Sequence, residues 1–123
     1  MKSDASLKRW YRLINKRFFH NELPNNVCVR YVTDEDEDED EGCEERYYGW
    51  TTDTSPLHKY VIIISRIKNP GPVAKLATLA HEMIHVKTGL RDDHGKIFSD
   101  CHEMLTERGL FRKGAILKGL TLF

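Results

Sequence analysis

Residues 69–89 constrain this chain more than any other stretch. Asn69-Pro70-Gly71-Pro72 reads as a turn, and Pro72 suits the first position of a helix, where its missing N–H would have no partner in any case. Gly89 supplies the stop. Between them, Val73, Leu76, Ala77, Ala80 and Ile84 recur at three- and four-residue steps, which predicts a helix over residues 73–88 with these side chains on a buried stripe. The same helix carries His81-Glu82-Met83-Ile84-His85. At 3.6 residues per turn, a four-residue step puts the two imidazoles on one face, one turn apart.

Two histidines so placed can reach one metal ion, and zinc suits imidazole nitrogen. A catalytic zinc takes three protein ligands and keeps a fourth position open. Glu82, beside the first histidine, then becomes the candidate general base, placed to take a proton from a water that the metal polarises. For the third ligand the leading candidate is His94, nine residues after His85, because a turn at Gly89 lets the chain double back. Glu103, with His102 beside it on the next helix, is the alternative and would make a His-His-Glu site. The plain reading, an ordinary helix on which two histidines and a glutamate coincide, competes with all of this. Helix length, small and aliphatic residues at the remaining buried positions, and further histidines downstream favour the metal. His20 and His58 read as surface histidines, with His58 near enough to a strand to assist substrate binding.

The rest of the chain supplies a scaffold. Leu7, Trp10, Tyr11, Ile14 and Phe18 predict an amphipathic helix over residues 6–19, whose other face carries Lys8, Arg9, Arg12 and Lys16. The alternating run at residues 27–33 reads as a strand, and residues 42–52, with Tyr47, Tyr48 and Trp50, as a second strand paired back to the first. Residues 60–65 give the clearest strand. If that strand is an edge, an extended substrate could add to it. Beyond Gly89, Asp93 is a candidate cap for a third helix ending at Gly109, with Phe98, Cys101 and Leu105 on its inner face. Cys101 is therefore read as a core residue. The chain has three cysteines, Cys28, Cys43 and Cys101, too few and too scattered for a disulfide framework or a zinc ribbon, so reduced thiols are expected.

The 123 residues suit a single domain, spanning 1–123, with an acidic loop at 34–45. Residues 34–41 are eight consecutive carboxylates, which repel too strongly to pack and predict a solvated connection. Ten of the nineteen acidic residues lie at 34–45, leaving nineteen basic against nine acidic residues elsewhere. That basic remainder is a hint of a polyanionic partner such as DNA, and the acidic loop is a candidate shield over it. No apolar run approaches the roughly 20 residues of a membrane helix, and the first ten residues are polar, so no membrane contact and a cytoplasmic or nucleoid-associated location are expected.

Several of these residues resemble the SprT-like zinc metallopeptidase family. Phe18-Phe19-His20-Asn21-Glu22-Leu23-Pro24 is similar to that family's segment after its first helix, the HExxH helix follows three short strands, and His94-Gly95-Lys96-Ile97-Phe98 matches its HGxxF segment. The resemblance spans roughly residues 6–105. It implies an α+β, zincin-like minimal metallopeptidase: an N-terminal helix, a sheet of about three strands, the HExxH helix and a following helix. It implies zinc on His81, His85 and His94, Glu82 as catalytic acid/base, and peptide-bond hydrolysis with DNA-associated proteins among the substrates. The HGxxF match favours His94 over Glu103. The interval from His85 to His94 is short for the family, and no Cys-rich ribbon follows it here. Tyr47, Tyr48 and His58 are candidates to stabilise the oxyanion, and a monomer is expected. The competing function is a zinc-stabilised nucleic-acid-binding module with little or no proteolytic activity, which would use the basic helix face.

Overall fold

In the computed structural model, which describes residues 2–33, 48–53, 55–90 and 94–110, the chain forms three helices and a three-stranded sheet. Helix α1 is Ala5–Phe18, followed by strands β1 (Val27–Tyr31), β2 (Gly49–Thr52) and β3 (Tyr60–Ile64), then helices α2 (Pro72–Thr88) and α3 (Lys96–Glu107). The fold class is α+β. Among the described residues no helix is long and apolar enough to cross a membrane.

Helix α1 starts where Asp4 accepts a hydrogen bond from the Leu7 N–H (3.0 Å) and buries Leu7, Tyr11, Ile14 and Phe18. Its polar residues hold the segment that follows. The Asn15 side chain both accepts from the Leu23 N–H and donates to the Leu23 carbonyl (3.1 Å each), and the Tyr11 hydroxyl donates to the Pro24 carbonyl (2.7 Å). Lys8 Nζ donates to the carbonyls of Asn25 and Val27. Burial, with Arg12 adding to it, lowers the Lys8 pKa from its ordinary value. That lysine therefore serves the scaffold rather than the outward basic face expected for it.

Strand order departs from expectation. The sheet runs β1-β3-β2, with β1 parallel to β3 and β2 antiparallel to it. The second strand thus pairs with the third, not with the first. Tyr60-Val61-Ile62-Ile63-Ile64 is the most apolar strand, and the central position is the one where hydrogen bonds form on both sides and both faces are covered. This placement also removes the docking edge expected at residues 60–65. β1 shows no alternation in burial either, since Val27 to Arg30 are all buried. One sheet face joins the main core, and the other forms a second cluster of Cys28, Val61 and Ile63 with Val32 and Trp50.

Helix α2 lies over the sheet with α1 and α3 beside it, so its burial is wider than a single stripe. Leu76, Ala80 and Ile84 are buried as expected, Leu79, Met83 and Val86 are buried as well, and Val73 and Ala77 stay partly exposed. Gly95, not Asp93, occupies the N-cap of α3, and it makes no side-chain cap bond. Asp93, Tyr47, Cys43 and the acidic run lie outside the described residues. The Lys87 ammonium pairs with Glu22, and Arg108 Nη1 donates to the Phe18 carbonyl (2.7 Å), which ties α2 and the end of α3 to the end of α1.

Candidate metal centre

Two left-handed residues turn the chain at the end of α2. Gly89 (φ 69°) ends α2 and Leu90 (φ 61°) follows it, with the Leu90 N–H donating to the His85 carbonyl (2.9 Å) and the Gly89 N–H to that of Val86 (3.2 Å). Glycine adopts this conformation freely, whereas leucine does so at a cost of about 1 kcal/mol or more. This turn ends the helix within the short interval that separates His85 from His94.

His94 Nε2 lies 3.1 Å from His81 Nε2 and 3.3 Å from His85 Nε2. These three residues form the group of potential metal ligands among the described residues, their donor atoms all within 4.8 Å of one another. Glu103, the alternative third ligand, is exposed on α3 and stands outside that group. A hydrogen-bonded cluster accounts for the arrangement poorly, because one proton on His94 Nε2 can serve only one of its two neighbours. A cation serves all three lone pairs. With metal–nitrogen bonds of about 2.0–2.1 Å in a tetrahedron, neighbouring nitrogens fall about 3.3–3.4 Å apart, close to the two separations measured from His94 Nε2.

Beneath the imidazoles sits Phe98, with ring centroids 4.9, 4.7 and 4.9 Å from those of His81, His85 and His94. Its position on α3, buried and facing α2, makes it the shared floor of the cluster. Phe98→Ala is expected to weaken metal binding about 10–100-fold, as loss of a supporting group does, and to cost about 3–5 kcal/mol in stability. The milder Phe98→Leu keeps the chain folded for a chelator-competition titration. Unchanged affinity in that variant would show that the ring does not hold the imidazoles.

Access is one-sided. His85 is buried, His94 is exposed, and the His81 side chain is 37% exposed. Glu82 is only 4% exposed. Its Oε1 accepts a hydrogen bond from the Thr51 hydroxyl (2.8 Å), and its Oε2 lies 4.0 Å from His81 Nε2. Thr51 drew no attention in the sequence. The available signal was the alternation that puts Gly49 and Thr51 on one face of a short strand, but which helix face that strand meets is a tertiary matter. The Tyr48 ring lies beside Lys68 Nζ (5.3 Å), and the His58 N–H is tied to Ser55 Oγ (3.3 Å). His20 is exposed just beyond α1 with φ 54°. Cys101 is half-buried against the core, and burial pushes its thiol pKa up, which disfavours the thiolate a metal would need. Compared with protein-family models, curated proteins and solved structures, the chain matches none.

Proposed function

We propose that this chain is a zinc-dependent metallopeptidase with a zincin-like arrangement, in which His81, His85 and His94 hold the metal and Glu82 is the general base. The observation that carries the reading is the meeting of three imidazole nitrogens at metal-ligand spacing with a buried carboxylate beside them. Zinc, when bound, supplies a Lewis acid that lowers the pKa of water toward about 7. Glu82 takes the proton released as water attacks the peptide carbonyl and returns it to the departing amine. The partly exposed His81 and exposed His94 leave the open side to an incoming chain, while Phe98 closes the other. Proteins are the substrate class, DNA-associated ones among them. The nucleic-acid-module alternative draws on the basic face of α1, where Lys8 is already committed to two backbone carbonyls.

The test is cleavage of an unfolded protein by the zinc-loaded chain, repeated after chelation and after zinc is restored. Cleavage is expected to vanish with the metal and return with it. Cleavage that persists in metal-free protein, or its absence from a fully loaded one, would sink the reading.

A further inference from the structure

We infer that Thr51 is a positioning residue for Glu82: its hydroxyl holds one carboxylate oxygen so that the other faces the histidine cluster. The inference rests on the peptidase reading above. The two oxygens of this buried carboxyl group are in different surroundings. Oε1 receives the Thr51 hydroxyl at 2.8 Å, whereas Oε2 lies on the side of His81. Thr51 Oγ1 is also 3.3 Å from the Glu82 backbone carbonyl, so the single hydroxyl proton favours the shorter bond.

The register of β2 on α2 makes this contact specific. Gly49 faces Thr78 and Thr51 faces Glu82: two strand residues span about 6.8 Å and four helical residues about 6 Å, so the two elements advance in step. Gly49 permits the approach, because a Cβ there would fall 2.9 Å from both Thr78 Cγ2 and the Ile63 carbonyl oxygen. Buried Asn69 then clamps the pair. Its amide donates to the Tyr48 carbonyl (2.8 Å), just ahead of Gly49, and its oxygen accepts from the Thr78 hydroxyl (2.6 Å). Two hydrogen bonds and one missing side chain thus set which strand residue meets the base.

The experiment compares Thr51→Val, which keeps the shape and removes the donor, with Thr51→Ser, which keeps the donor. In zinc-loaded protein, Thr51→Val is expected to lower kcat about 10–100-fold with KM unchanged, and Thr51→Ser to restore kcat to within a few-fold. A second readout needs no activity. In metal-free protein Thr51→Val should lower Tm by about 5 °C, and the same change made on Glu82→Ala, where only the longer contact to the backbone carbonyl remains, should lower it clearly less. Full kcat in Thr51→Val, or an equal Tm loss in both backgrounds, would overturn the inference and leave the peptidase reading standing. A wild-type chain that cleaves nothing would overturn both, with the Tm comparison still reporting on the contact itself.

Discussion

Glu82→Gln is expected to lower kcat/KM for peptide hydrolysis by about 10²–10⁴-fold while leaving the metal content of the protein unchanged. The substitution preserves volume and leaves one amide oxygen able to accept the Thr51 hydroxyl, so the contact that orients the side chain survives. What is lost is the basic oxygen. Because Glu82 is not among the three clustered histidines, zinc occupancy should match that of the wild type. The side chain is 4% exposed and the exchange conserves its volume, so stability should stay close to that of the wild type. The pair of measurements is steady-state kinetics and elemental analysis on the same preparations. Activity within tenfold of wild type would remove Glu82 from the chemistry. Loss of metal along with activity would instead make it a ligand, contrary to its position.

His94→Ala should abolish tight metal binding, and the effect is expected to be large because the two remaining imidazoles lie on one helix and present only half of a tetrahedron. Metal binding stabilises the folded state by about 4 kcal/mol at a thousandfold excess over Kd, which for a chain of this size corresponds to a rise in Tm of about 10 °C or more. Wild-type protein should show that rise on adding zinc, and His94→Ala should show almost none. Glu103→Ala makes the matching control. Glu103 is exposed and apart from the cluster, so its removal should leave both stoichiometry and thermal shift as in wild type. A full shift in His94→Ala would mean that another group completes the site. Imidazole binds metal in its neutral form, so occupancy should also fall as pH drops below about 6.

The extents of α1 and α2 and the inward faces of α1 and α3 were legible because stop signals and short-range periodicity record them, whereas the start of α3 falls at Gly95 and not at Asp93. Leu7, Tyr11, Ile14 and Phe18 fall on one side of α1 by spacing alone, and so do Phe98 and Leu105 on α3. Burial of α2 was read too narrowly for the opposite reason. Its outward residues are covered by elements distant in sequence, and no local pattern records which of them will arrive.

The four-residue step from His81 to His85 places two imidazoles together on any α-helix, so that half of the site follows from backbone geometry and belongs to the sequence by itself. So does the apolar character that draws Tyr60–Ile64 into the interior. Strand order, by contrast, is a competition among pairings. Only the packed molecule decided that β3 takes the centre, with β1 and β2 each pairing to it and not to one another. His94 meets the helix beyond a turn of two consecutive left-handed residues, one of them a leucine whose N–H is tied to the His85 carbonyl. Thr51 meets Glu82 across 31 positions of sequence because Gly49 lets a strand lie close on a helix. Such contacts form between elements whose own periodicities are already satisfied, and that is why tertiary packing alone specifies them.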